Sequence, residues 1–118
     1  MQRVDLKGLI QLIRENKEFE ANLILDEGCI FETEDPKPLV KVLNYLINYL
    51  KDLSDRPLEI SLDLRPQDFL LSLMAYTDKS DLPSVSDQID DVLKQYNASL
   101  ENIHSAGQNF QFKIAFSR

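Results

Sequence analysis

Leu58, Ile60, Leu62 and Leu64 alternate with Glu59, Ser61 and Asp63, the period of two that marks a half-buried strand. Arg65-Pro-Gln-Asp68 then carries the residues of a turn. Phe69-Leu-Leu-Ser-Leu-Met-Ala-Tyr-Thr77 returns as a more fully buried strand, so the two runs predict a hairpin. Near the end, Phe110, Phe112, Ile114 and Phe116 alternate with polar residues and alanine, after an extended run near 99–104 and a turn at 105–109. Sheets of this kind need a layer over their apolar face.

That layer is legible as well. Leu39, Val42, Leu43, Leu46, Ile47 and Leu50 form one apolar stripe of a helix that runs to about Leu53. Its entry, Thr33 to Pro38, offers Asp35 or Thr33 as caps and confines the prolines to the first turn. From about Val4 to Phe19, Leu6, Leu9, Ile10 and Ile13 predict another helix with Asp5 at its cap. Residues 22–26 and 29–32 read as short strands around a Glu27-Gly28 turn. Ser84 and Asp87 resemble a capping box opening a third helix, with Val85, Ile89, Val92, Leu93 and Tyr96 inside and Asn97 at a left-handed end. The order α, β, β, α, β, β, α, β, β predicts a two-layer α/β sandwich. It is a mixed, mostly antiparallel sheet with three helices on one face, forming a single domain over 1–118.

Composition removes several alternatives. A chain of 118 residues, 43% apolar, buries roughly two-thirds of its unfolded surface and needs no disulfide framework, which a lone Cys29 cannot supply. No run approaches the roughly 20 apolar residues of a membrane span, and the polar start is unlike a secretory signal. The expected location is the cytoplasm, without membrane insertion. A net charge of −7 opposes nucleic-acid binding.

On the long helix, Asn44, Asn48 and Lys51 share a polar stripe spaced i, i+4, i+7 that flanks the buried face. The run Leu43-Asn-Tyr-Leu-Ile-Asn-Tyr-Leu-Lys51 resembles the N box of sensor histidine kinase ATPase domains, usually Asn-Leu-Leu-x-Asn-Ala-x-Lys. Those domains belong to the GHKL superfamily and have the Bergerat fold. Val4-Asp5-Leu6, Leu82-Pro83, Tyr96-Asn-Ala-Ser99 through Gly107, and Phe112-Lys-Ile-Ala-Phe116 extend the resemblance over nearly the whole chain. The resemblance implies that Asn44, Asn48 and Lys51 occupy the positions that contact magnesium and nucleotide phosphates. It also implies that the 58–77 hairpin leads into an adenine site.

The sequence departs from that pattern where the purine would sit. With Leu82-Pro83 aligned to the end of the first glycine box, the family's Asp-x-Gly-x-Gly becomes Thr77-Asp78-Lys79-Ser80-Asp81. Thr77 then stands at the adenine aspartate, and Asp78 lies one residue out of register, on the opposite strand face. Lys79 and Asp81 replace the glycines that permit close backbone approach. Between Pro83 and the last helix there is no room for the second glycine box and lid. Asp81, Asp87, Asp90 and Asp91 would repel a triphosphate.

Other candidates are weaker. His104, the sole histidine, lies on a late strand, whereas phosphoacceptor histidines of sensor kinases lie on a separate helical hairpin; a surface role is expected. Cys29 lacks companions for metal binding and a basic helix start to activate it. The acidic cluster fits neither a calcium loop nor a defined catalytic pair. Asn97-Ala-Ser99 matches a glycosylation sequon, expected to be silent. Tyr45 and Tyr49, spaced i, i+4, form either an aromatic strip for a partner or a cover over the rim of the nucleotide site.

The chain is expected to be a bacterial pseudoenzyme without cofactor, a signalling module that binds a response regulator, a phosphotransfer protein or a second copy. The alternative is a Mg-ATP-binding domain of the histidine kinase or anti-sigma kind, using Asn44, Asn48 and Lys51 with Asp78.

Overall fold

The computed structural model describes residues 1–118. Its elements are β1 (Gln2–Asp5), α1 (Leu6–Lys17), β2 (Ala21–Leu25), β3 (Ile30–Thr33), α2 (Lys37–Leu53), β4 (Leu58–Leu64), β5 (Asp68–Tyr76), α3 (Ile89–Lys94), β6 (Ala98–Ser105) and β7 (Asn109–Ser117). Five strands form a mixed sheet in the order β2-β4-β5-β7-β6, and β1 pairs with β3 in a separate antiparallel ribbon. The 58–77 hairpin is present, with Ile60 opposite Leu73 and Leu62 opposite Leu71. Only β2 runs parallel to its neighbour, β4. The chain between them contains β3 and the long helix α2, as a parallel crossover requires.

The strand alternation sorts residues onto two faces. Leu58, Ile60, Leu62, Leu71, Leu73, Phe112 and Ile114 are buried and share one core with Leu6, Leu39, Leu43, Leu46 and Leu50 of the helices. Each such side chain contributes roughly 1.5–3 kcal/mol of burial. The other sheet face, with Glu59, Ser61, Leu70, Met74 and Gln111, carries no layer and is half-buried. The strand expected to be more fully buried, 69–77, is so relative to β4, since even Ser72 on its uncovered face is buried.

Several boundaries differ for identifiable reasons. The first helix, expected from about Val4, begins at Leu6, and residues 2–5 form β1, because Val4 pairs with Phe31 and Arg3 with Glu32. Four-residue strands gain their stability from a partner, which local periodicity does not display. Asp5 occupies the cap position of α1 but makes no side-chain cap bond. Instead the Leu6 N–H donates to the Cys29 carbonyl at 3.0 Å, so the ribbon takes over the first orphan donor. The helix stops at Lys17, short of Phe19, with Glu18 left-handed at φ 52° and its N–H bonded to Arg14.

At the entry to α2, Asp35 does accept the Lys37 N–H at 3.0 Å. The expected Ser84–Asp87 capping box is absent: residues 84–88 stay outside the helix, and α3 is six residues long. Asn97 adopts the left-handed conformation expected of it, φ 53°. No helix is long and apolar enough to cross a membrane.

Candidate functional site

Helix α2 presents three faces, which follow from about 100° of rotation per residue. One is the buried stripe. A second carries Asn44, Asn48 and Lys51, and a third carries Tyr45 and Tyr49.

The asparagine face looks toward α1. Lys17 Nζ, in the last turn of α1, donates to Asn48 Oδ1 at 2.9 Å, and both groups are solvent-accessible. Lys51 Nζ lies 6.0 Å from the centroid of the Phe19 ring. Lys51 also borders a shallow depression of about 210 Å3 shared with Phe19, Glu20 and Arg56. Asn44 is half-buried on the same face.

The tyrosine face holds the segment between β5 and α3. The Tyr49 hydroxyl donates to the Pro83 carbonyl at 2.6 Å. The Ser86 N–H donates to the Tyr45 hydroxyl at 3.0 Å. Beneath these bonds the Tyr49 ring packs against Phe110 and Phe112, at centroid separations of 5.5 and 5.4 Å. Burial accordingly pushes the Tyr49 phenol above its ordinary range. Tyr45 remains at the surface, on the rim of a groove of about 250 Å3 formed with Pro38, Val42, Ile89 and Val92.

The largest concavity, about 470 Å3, lies where the end of α2 meets the end of β5 and the β6–β7 turn. It contains Asp52, Asp55, Arg56, Thr77, Asp78 and Lys79, with Gly107 and Gln108 closing one side. Thr77 is buried there, and its Oγ1 accepts the Lys79 N–H at 3.2 Å. That short-range bond bends the chain out of the sheet after β5. Lys79 Nζ reaches the Asp52 carbonyl at 3.2 Å, near the end of α2, where helix carbonyls lack partners. Arg56 lies over the Tyr76 ring at 4.4 Å. Three carboxylates against two cations leave this hollow close to neutral.

The structure therefore divides the sequence-derived residues into three places. Thr77 and Asp78 share the large hollow. Asn44, Asn48 and Lys51 stand together on the α1 side, and Tyr45 and Tyr49 engage residues 83–86. Sequence reading missed the pocket roles of Arg56, Gly107 and Gln108, which meet only through tertiary packing. It also missed Lys17, whose one signal was a basic residue in the last turn of α1. His104 is exposed beside Phe110, and Cys29 is fully buried, which raises its thiol pKa. No three His, Cys, Asp or Glu side chains converge as metal ligands.

No family model and no curated protein matches the sequence. Solved structures do match. A histidine kinase of Acinetobacter baumannii, AdeS, superposes at a TM-score of 0.78 with 15% identity, over 98% of this chain and 66% of that one. The histidine kinase domain of the E. coli osmosensor EnvZ matches at 0.74 with 10% identity, over 99% of this chain and 88% of that one. The catalytic domain of histidine kinase ThkA matches at 0.64 with 13% identity, over 98% and 95%. This corrects one expectation drawn from the replaced glycines. The matched structures are kinase domains, one of them a catalytic domain by name, and histidine kinases are enzymes. The expectation that this chain is not an enzyme is overturned. Element order, sheet and helical layer together give this chain the fold of histidine kinase ATPase domains.

Proposed function

We propose that this chain is an ATPase-like signalling domain of the histidine kinase type. It works in a bacterial phosphotransfer system and recognises a response regulator or a phosphotransfer protein. The observation that carries the proposal is a shared fold over 98% of the chain. The groove beside Tyr45 supplies a surface for it: its lining is mainly apolar, and Asp90 and Asp91 of α3 are exposed nearby. Aromatic anchors at the rim of such grooves commonly dominate protein recognition. The cytoplasm, where such regulators work, is the proposed location.

The test is calorimetry with receiver and phosphotransfer proteins from the same cell. Saturable binding that weakens at least tenfold in Tyr45→Ala supports the proposal. Silence against every such protein overturns it.

A second reading rests on the hollow at Thr77 and Asp78. Its volume lies within the usual range of ligand pockets, and in the resembling family this strand end receives adenine. Magnesium would arrive with the phosphates, since no ready trio of ligands waits for it. Titration with Mg-ATP and Mg-ADP decides this reading. Submillimolar affinity lost in Asp78→Asn supports binding in the hollow, and loss in Asn48→Ala places the phosphates on the α1 side. Phosphate release from ATP, followed in the same samples, measures turnover directly.

A further inference from the structure

Strand β6 is an edge of the five-stranded sheet, paired on one side only, with β7. The Ser117 N–H donates to the Asn97 carbonyl, and Ser105 is opposite Asn109. Bonded and non-bonded pairs alternate in an antiparallel ladder. Residues 99, 101, 103 and 105 therefore spend their backbone groups on β7. Ala98, Leu100, Asn102 and His104 direct theirs away from the sheet, and none of these outward N–H groups has a partner within the chain outside the sheet ladders.

Natural edge strands are normally guarded by proline, lysine, a bulge or short length. Over eight residues, Ala-Ser-Leu-Glu-Asn-Ile-His-Ser, β6 has no proline and no lysine. Its pairing with β7 runs without a bulge from Ala98 to Ser105. Its single charge, Glu101, stands on the open face of the sheet.

We propose that the β6 edge pairs antiparallel with the β6 edge of a second copy, about a twofold axis at Asn102. Parity, symmetry and charge together select this register. A twofold axis normal to the sheet passes through the centre of either a bonded or a non-bonded pair. An axis at Glu101 would engage all four outward residues but set the two glutamates directly opposite in a close non-bonded pair. An axis at Leu100 or Asn102 engages three and keeps the glutamates apart, and of these two only Asn102 meets its own copy with a hydrogen-bonding side chain. Leu100 then lies opposite position 104 and Asn102 opposite itself, giving about six main-chain hydrogen bonds by the antiparallel pattern. On the open face Glu101 lies opposite position 103, an isoleucine, so the two glutamates avoid each other. The Asn102 amide, both donor and acceptor, is complementary to its own copy. A peptide from another protein lacks this built-in complementarity, which is why a second copy is the occupant.

Charge predicts an unusual salt response. Two chains of net charge −7 repel each other, so added salt should tighten the dimer.

Sedimentation is the primary test, up to about 1 mM, where even weak contacts populate. A doubled mass that increases with salt is expected. Asn102→Pro removes only an outward donor, which an edge strand tolerates, and should restore the monomer mass with the thermal transition retained. A disulfide gives an independent readout. Bonded antiparallel pairs hold Cα atoms about 5.5 Å apart, within disulfide reach. Mild oxidation should cross-link Asn102→Cys, and should leave Ser99→Cys uncross-linked because its own counterpart is several residues away. The buried Cys29 does not compete. A monomer at every concentration overturns the proposal. So does a dimer that survives Asn102→Pro, or equal cross-linking at both cysteine positions. If Asn102→Pro fails to fold, the cysteine pair decides alone.

Discussion

Along one flank of α2, Asn44, Asn48 and Lys51 face α1 and solvent; along the other, Tyr45 and Tyr49 hold the backbone of residues 83–86. The first flank carries the recognisable motif, yet its one hydrogen bond joins two exposed side chains. Water competes for both partners, so such a pair contributes little to stability. The second flank carries tyrosines where that motif usually has leucine and alanine, yet it satisfies two backbone groups and buries an aromatic ring against Phe110 and Phe112. The comparison separates two roles on one helix. The asparagine flank is energetically slack, while the tyrosine flank fixes the chain that follows β5.

Substitutions can break this contrast, and the largest effect belongs to Tyr49→Ala. It removes both the ring packing and the donor to Pro83, so chemical denaturation should show a loss of about 3 kcal/mol. A loss no larger than that of Asn48→Ala would erase the distinction.

Tyr49→Phe keeps the ring and deletes only the hydroxyl, and should cost about 1 kcal/mol in the same assay. It also tests the titration. Burial raises the folded-state Tyr49 pKa above the ordinary value of about 10. Its neutral form is favoured in the fold, so the stability contribution is complete below about pH 10 and declines as pH climbs through the raised value. Denaturation above pH 10 should reveal that decline, and Tyr49→Phe should reduce its slope. Tyr96 shares the effect, since burial raises its phenol as well, so part of the slope should remain.

Tyr45→Phe removes an acceptor from the Ser86 N–H at an exposed position. Water can replace that acceptor, and a loss of about 0.5 kcal/mol is expected. Faster amide exchange at Ser86 in NMR would identify the released donor.

Asn48→Ala and Lys17→Ala should each change stability by less than about 0.5 kcal/mol. A double-mutant cycle between them should give a coupling that shrinks with added salt. A large, salt-independent coupling would show that the asparagine flank is structural after all.

The fold was legible because its main elements advertise themselves in period and length. The α2 stripe and the 58–62 and 109–117 alternations each mark a single buried face, although Leu64, which continues the first alternation, is exposed. The ribbon was hidden, since residues 2–5 gain their strand conformation from pairing with residues 30–33. The Ser84–Asp87 signature failed for a related reason. Tyr45 and Tyr49 draw residues 83–86 along α2, and the Ser86 backbone N–H that a helix start would leave open is already committed. The candidate site was legible by resemblance alone. Motif spacing placed Asn44, Asn48 and Lys51 on one face, but it could not reveal that Thr77 and Asp78 meet the end of α2 in a different hollow.

By itself, the sequence determined most of the residues that enter the core and the order of the helices and of every strand but β1. Those choices depend on hydrophobic period and local chain stiffness, which are properties of neighbouring residues. Tertiary structure alone decided the β1–β3 ribbon, the clasp of tyrosines on residues 83–86, the polar hollow beside Thr77 and the unguarded β6 edge. Each depends on backbone groups far apart in the chain finding or lacking a partner, and satisfaction of that kind is written only in three dimensions.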